Sequence, residues 1–284
     1  MMNLGNDSHR QRFMQGIHDL SIRGCFCLTE LGHGSNAREI ETVAYWDAKT
    51  NEFVLSTPTE TAQKIYIGNL AQHANWAVVF AQLVVGTKHV GVHAFVIQIR
   101  DDKSENLMPN LRILDCGPKA GLNGVDNGRL WLDNYRAPKS ALLDKFASIN
   151  DAGEYVSPIS SPLRRFTATI GQLVGGRIIV GQGAVHATKV GLTIAIKYAF
   201  SRKQFGPVGK PETPLISFLS HQLRLVPLLA KTYALQFALN KLKGQTRQII
   251  QQISSLPIAR YSISSVHLFC FPLLLFFLQR CLVL

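Results

Sequence analysis

The sequence predicts an α+β protein, with a central antiparallel β-domain followed by part of an α-helical bundle. Two observations carry this expectation. Between residues 22 and 135, short apolar runs alternate with Gly, Asn, Asp and Pro punctuation, the pattern of hairpin-linked strands. From Phe166 to Phe200 there is no proline, and apolar residues recur at three- and four-residue spacing, the pattern of a helix. The expected segments are 1–20, 21–150 for the β-domain, 151–250 for the helical part and 251–284 as a divergent apolar tail.

Taken in order, residues 1–20 are polar with Phe13, Ile17 and Leu20 at helical spacing, and read as the tail of a helix that has lost its beginning. Ile40 to Trp46 and Phe53 to Ser56 read as a hairpin turning through Asp47 to Asn51. Gln63 to Ile67, Trp76 to Val85, Val92 to Ile99, Leu111 to Leu114 and Arg129 to Leu132 supply further strands. Asp126, Asn127 and Gly128 read first as a turn. A Pro/Ser-rich link near Ser157 to Pro162 precedes the helical part.

Phe166 to Phe200 is expected to be one long helix. Its glycines at 171, 175, 176, 181, 183 and 191 each cost about 1 kcal/mol against alanine, so close packing on a neighbouring helix is the expected compensation. Gly181-Gln182-Gly183 is no dinucleotide fingerprint, because no strand precedes it and the third glycine is missing. A second helix is expected from Leu215 to Lys243, kinked near Pro227. The apolar core of the tail, Phe269 to Leu278, is shorter than the roughly 20 residues that span a bilayer, so a membrane span is not expected.

Charge is unevenly placed. Residues 1–154 carry 15 Lys and Arg against 17 Asp and Glu, whereas residues 155–284 carry 15 against the single acid Glu212. These positive charges are spread through apolar helical sequence without interleaved aromatic stacking residues, which argues against nucleic-acid binding. A basic half suits phosphorylated ligands, or acidic segments packed against it. Five cysteines without regular spacing argue against a disulfide framework and for a reducing compartment. Cys25 and Cys27 match no zinc spacing, and strand alternation puts both on one buried face. The N-terminus has no secretory pattern and the final Cys-Leu-Val-Leu is not a Ser-Lys-Leu-type address.

The informative stretch is Gly24-Cys25-Phe26-Cys27-Leu28-Thr29-Glu30-Leu31-Gly32-His33-Gly34-Ser35-Asn36. An apolar strand ends in Thr-Glu, and the loop after it offers two glycines, Ser35 and Asn36. The glycines permit φ > 0 and close approach to a flat ligand, and Thr29, Ser35 and Asn36 supply short hydrogen-bonding side chains.

Thr29 to Asn36 resembles the flavin-site signature of acyl-CoA oxidases and, more loosely, acyl-CoA dehydrogenases. Four further stretches resemble the oxidases in the family's order: Ile67-Gly68-Asn69 after Gln63-Lys64, Gly91 to Val96, Gly121 to Arg129, and Arg202-Lys203-Gln204-Phe205-Gly206. The resemblance implies FAD-dependent oxidation of acyl-CoA to 2-enoyl-CoA, with molecular oxygen reduced to hydrogen peroxide. It further implies a homodimer in the full-length family and a peroxisomal location. By resemblance, Thr29 hydrogen-bonds the flavin ring, Gly68 passes its backbone close to FAD, and Ser35 contacts the thioester or pantetheine arm. Arg202 and Gln204 match a motif that reaches FAD across the dimer interface, a guanidinium being suited to a phosphate. Arg202 is equally suited to the C-terminal end of a helix, and His93 in an apolar strand is given no catalytic role.

The departures are specific. Many relatives carry a Trp pair where this sequence has Ile65-Tyr66, which alters the flavin's packing wall. The family's N-terminal helical domain is represented by residues 1–20 alone. The family's catalytic glutamate lies further along than this sequence extends, so no catalytic residue is assigned. Glu212, between prolines 211 and 214, is a poor place for a base that needs a dry pocket, and Glu30 is expected to shape the loop. Two readings follow: an acyl-CoA oxidase of β-oxidation in truncated form, or a non-catalytic fragment that binds FAD, acyl-CoA or a partner. A membrane-surface role for the basic half and apolar tail ranks last.

Overall fold

The computed structural model describes residues 4–171 and 173–254. These form two compact units that divide between Ile170 and Gly171. The Phe269 to Leu278 run of the expected apolar tail lies outside the described residues.

The first unit opens with α1 (Asp7–His18), which starts on its own cap. The Asn6 side chain accepts from the His9 backbone at 3.1 Å, and the His9 ring accepts from the Asn6 backbone at 3.3 Å. The helix has therefore not lost its beginning, as the sequence suggested; this reciprocal cap satisfies donors that a cut helix would leave bare. Of the expected apolar stripe, Phe13 is buried against Trp76 at 4.9 Å between ring centroids, while Ile17 and Leu20 are exposed.

Nine principal strands follow: β1 (Gly24–Cys27), β2 (Val43–Asp47), β3 (Glu52–Ser56), β4 (Lys64–Gly68), β5 (Trp76–Val85), β6 (Lys88–Gln98), β7 (Leu111–Asp115), β8 (Asn127–Leu132) and β9 (Tyr135–Pro138). β5 organises the larger sheet. Its one edge pairs with β6 through a hairpin turned at Gly86, whose φ of 60° is left-handed. Its other edge is shared end to end, with β1 on Trp76–Val79 and β2 on Gln82–Val85.

Those two ladders are parallel, a departure from the antiparallel pattern expected throughout. Parallel neighbours need a long crossover, and the chain between β2 and β5 provides it through β3 and β4. The pairings β2–β3 and β3–β9 are antiparallel, as is the second sheet, ordered β4-β8-β7. The two sheets enclose one core in which Cys27, Phe53, Leu83, Phe95, Ile97 and Leu130 are at most 2% exposed. Each such side chain contributes about 1.5–3 kcal/mol of apolar burial.

β9 is a strand that the sequence pattern does not announce. Its Arg136 and terminal Pro138 suit an edge, and among the described residues it pairs only with β3. β8 begins at Asn127, so Asn127 and Gly128 belong to a strand and not to a turn. A small hairpin, β10 (Ser148–Ile149) with β11 (Tyr155–Val156), leads to α2 (Pro162–Ile170). Arg165 anchors α2 to the sheet by donating to the carbonyls of Ile159 and Val90 at 2.5 and 3.0 Å.

The second unit holds α3 (Leu173–Ser201), a hairpin of β12 (Lys203–Gln204) with β13 (Thr213–Pro214), and α4 (Leu219–Ser254), which carries Pro227 within it. The single helix expected from Phe166 to Phe200 is thus two, separated at Gly171, where a residue without Cβ weakens helix continuity. Ile178, Val185, Leu192 and Ala199 on α3, and Leu225, Thr232 and Leu239 on α4, are buried at seven-residue intervals, the spacing of a narrow antiparallel helical seam.

Outside that seam Ile179, Val190, Ile194, Leu223, Tyr233 and Phe237 are exposed. A Cβ added at Gly175, Gly176, Gly183 or Gly191 would meet nothing within 4 Å. These glycines do not serve close helix packing in the described chain, contrary to the expectation. Gly175–Ser201 is long and apolar enough to cross a membrane by length and composition. A helix apolar on all sides is equally the composition of a bundle's interior helix.

Candidate functional site

The candidate ligand loop leaves β1 through Leu28 and Thr29. β1 alternates, so Cys25 and Cys27 point into the core with their sulfurs 3.7 Å apart, as alternation predicts. The Cys25 hydrogen bond and burial raise the Cys27 thiol well above its ordinary range, which keeps it protonated.

After β1 the chain runs antiparallel beside β4. Ile65 N–H donates to Thr29 O at 3.1 Å, Leu31 N–H to Gln63 O at 3.0 Å, and Gly32 N–H to Thr61 O at 2.9 Å. Further along, the Asn69 amide donates to Gly24 O at 3.3 Å. The structure therefore brings Thr29 and the Tyr66–Gly68 end of β4 to one neighbourhood, although their positions are 37 to 39 residues apart in sequence.

Beneath this strip lies an ion pair. Lys64 Nζ is 2.8 Å from Glu30 Oε1, and neither side chain is exposed. Glu30 also accepts from the backbone N–H of Glu41 at 2.6 Å, and from the N–H and hydroxyl of Thr42 at 3.0 and 2.5 Å. Lys64 also donates to the carbonyls of Phe80 and Leu28, at 2.7 and 3.4 Å. Burial pulls the Lys64 ammonium down from its ordinary range while Glu30 opposes it. With its oxygens so engaged, Glu30 has no room to serve as a base for a bound ligand.

The loop closes on itself as a turn. His33 N–H donates to Glu30 O at 3.1 Å, and the His33 ring meets Glu41 Oε1 at 3.2 Å. Glu41 is held below the ordinary carboxylate range, first by the Thr59 hydroxyl and further by Thr61 and His33. Neither Gly32 nor Gly34 takes a positive φ, contrary to the expected use of these glycines. At Gly32 the need is space: a Cβ would lie 3.1 Å from that of Thr61 and 3.2 Å from the Glu41 carboxylate. Ser35 is exposed beyond this turn, and a Cβ on Gly34 would meet nothing within 4 Å.

β4 lies beside this loop in the same hydrogen-bonded strip. Its register with β8 shifts between Lys64 and Ile67, and Tyr66 sits there at φ 57°, the residue 63% exposed. A non-glycine residue in the left-handed region is uncommon, and here it turns an aromatic outward from a strand that buries Lys64 and Ile67. Gly68 lies beside open space on its Cβ side. The turn after it is held by the Asp126 carboxylate, which accepts from the N–H groups of Ala71 and Gln72 at 3.0 and 3.1 Å. Arg100 braces the same turn through the carbonyls of Ala71 and Ala74. The Thr29 hydroxyl takes no partner among the described residues.

Arg202 and Gln204 stand in the second unit. Arg202 N–H caps α3 by donating to Tyr198 O at 2.8 Å, and Gln204 lies on β12; both side chains are exposed. Gly206 is required there, because a Cβ would fall 2.5 Å from Pro211 O. Glu212 is exposed in the same hairpin. Lys64 and Thr42 are supporting residues whose role sequence reasoning misses, whereas the resemblance already puts Tyr66 at the flavin's packing wall. A lysine inside an apolar strand is the readable signal for the first, whereas nothing local marks Thr42.

Residues 25–135 match the acyl-CoA dehydrogenase middle domain, and residues 170–270 match the acyl-CoA oxidase C-alpha1 domain. Acyl-coenzyme A oxidase 3, peroxisomal, from Arabidopsis thaliana is 50% identical over 259 residues, covering 88% of this chain and 38% of the relative. Peroxisomal acyl-coenzyme A oxidase 3 from Homo sapiens is 40% identical over 232 residues, covering 81% and 33%. The solved structure of Arabidopsis thaliana acyl-CoA oxidase 1 matches with a TM-score of 0.81 at 34% identity, over 89% of this chain and 39% of that one. Acyl-CoA oxidase-2 of Caenorhabditis elegans, bound with FAD, ascaroside-CoA and ATP, matches with a TM-score of 0.81 at 31% identity, over 90% and 38%. The chain thus spans well under half the length of these relatives.

Proposed function

The chain belongs to the acyl-CoA oxidase family, and from that premise we propose that residues 24–36 and 64–69 form one wall of an FAD and acyl-CoA site. The observation that carries the reading is the hydrogen-bonded strip joining Thr29 to β4, which sets a free hydroxyl near an outward aromatic ring and an open glycine. A flat heteroaromatic ring fits such a wall. Gly68 leaves its backbone accessible, Tyr66 offers a stacking face in place of the family's tryptophans, and the Thr29 hydroxyl can donate to a ring nitrogen or oxygen.

When bound, FAD would supply the hydride acceptor for oxidation of the acyl chain, with oxygen as the final oxidant and peroxide as its product. The protein's own part is positional. Thr29 orients the ring, and Ser35, exposed on the loop, hydrogen-bonds the thioester or pantetheine arm. Arg202 and Gln204 serve FAD held by a second protomer, the guanidinium taking phosphate oxygens in pairs. By family the location is peroxisomal and the full-length assembly a homodimer.

Proton removal from the acyl α-carbon needs a carboxylate, and neither Glu30 nor Glu212 qualifies. Glu30 is committed to Lys64 and Thr42, and Glu212 is exposed on a hairpin rather than held in a dry pocket. This favours the second reading for these residues taken by themselves: binding of FAD and acyl-CoA without turnover. Purified chain mixed with FAD and acyl-CoA of several lengths is expected to hold flavin and release no peroxide. Peroxide release would return a base to this chain, and a folded chain that holds no flavin would remove the binding reading.

A further inference from the structure

We propose that the buried Glu30–Lys64 pair is a positioning element, which fixes the spacing between the Thr29 loop and the Tyr66–Gly68 wall. The inference rests on the flavin-site reading for its purpose, and on geometry for its existence. Glu30 directly follows Thr29 in sequence, and Lys64 lies two residues before Tyr66. The pair bonds the start of β4 to the exit from β1, to Thr42 ahead of β2, and to the middle of β5 through Phe80 O. Four segments thus converge on two side chains that touch no solvent.

Burying such a pair is not a route to extra stability, since apolar residues of similar volume often do as well. What it supplies is directional. Glu30 gathers three donors besides Lys64, each from a fixed direction, so the peptide carrying Thr29 cannot slide along β4 without breaking charge-assisted bonds. The irregular register that turns Tyr66 outward begins at Lys64 itself. A slip of one residue at this point would send Thr29 to the opposite face.

The test compares the wild-type chain with the double variant Glu30→Gln/Lys64→Met, which removes both charges and leaves neither buried alone. Two readouts are taken on the whole 284-residue chain, whose folding is checked by circular dichroism. The first is amide hydrogen exchange without ligand. Protection at Leu31, Gly32 and Ile65 is expected to fall about tenfold or more while the β5–β6 amides keep wild-type rates, because only local opening has changed. The second is FAD affinity by flavin fluorescence, expected to weaken about tenfold per 1.4 kcal/mol of misplacement.

Unchanged exchange at those three amides would overturn the proposal, as would an FAD affinity equal to wild type. Should wild-type chain bind no FAD, the functional reading falls and the exchange result alone decides the positioning role. Should the double variant fail to fold, Thr42→Val decides it: this removes one donor to Glu30 without changing charge. The same local loss of protection then supports the proposal, and its absence overturns it.

Discussion

The His93 ring stands edge-on to Tyr155, at 88° and 5.5 Å between centroids, with its Nε2 3.0 Å from the tyrosine hydroxyl. Nδ1 faces Gly91 O at 2.8 Å, so Nδ1–H donates and neutral Nε2 is left to accept from Tyr155. Burial first, and the Arg165 charge beside it, hold His93 down to about 4, although the Gly91 bond works the other way.

A pH dependence follows with a definite sign. The folded state binds a proton at His93 less readily than the unfolded chain, whose value is ordinary at 6.5. This stabilisation is complete above pH 6.5, is lost progressively as pH falls toward 4, and amounts to about 3 kcal/mol at full extent. Urea unfolding between pH 7 and pH 4 is expected to give a steeper loss for wild type than for His93→Phe. Glu41, whose folded value is depressed, acts in a lower window, its contribution present above 4.5 and lost as pH falls through the folded value.

Gly128 in β8 meets the Leu70–Ala71 turn. A Cβ there would lie 2.8 Å from the Ala71 nitrogen and 2.9 Å from the Leu70 Cβ. Gly128→Ala is expected to cost about 1–3 kcal/mol through overpacking, measured by thermal or denaturant unfolding. Because the same turn follows Gly68, FAD affinity should fall with it.

Lys64→Met alone leaves the Glu30 carboxylate buried without its cation. A loss of about 3–5 kcal/mol is expected from that uncompensated charge. Glu30→Gln added to it should recover most of the loss, a non-additivity that urea unfolding of the two singles and the double would measure.

Tyr66→Asn keeps a residue that tolerates the left-handed backbone and removes the exposed ring. Stability is expected to change by less than about 1 kcal/mol, since little area is buried there. FAD affinity should fall about three- to tenfold if the ring stacks on the flavin.

Much of the fold is legible in the sequence where neighbours in space are neighbours along the chain. The β2–β3 hairpin and β5 are readable from alternation and turn residues, and the inward pair Cys25 and Cys27 from the period of a strand. What escapes is non-local. The parallel attachment of β1 and β2 to one edge of β5 leaves no local trace, because a parallel strand is written like an antiparallel one. The break at Gly171 looks like one more helical glycine, and Gly175, Gly176, Gly183 and Gly191 of α3 look like packing sites though an added Cβ would meet nothing within 4 Å. For the proposed site, Thr29, Gly68 and Ser35 are nominated from motif order. The Glu30 and Lys64 pairing cannot, because it depends on a contact across 34 residues.

The functional reading stands or falls on whether the Thr29 loop and β4 together hold a flavin. FAD titrated with folded wild-type chain and with Thr29→Val, followed by flavin fluorescence, addresses this without any assumption about turnover. Saturable quenching by wild type and clearly weaker binding by the variant are expected, with both proteins folded to the same extent. Equal binding by the two, or no binding by a folded wild-type chain, would contradict the proposed site.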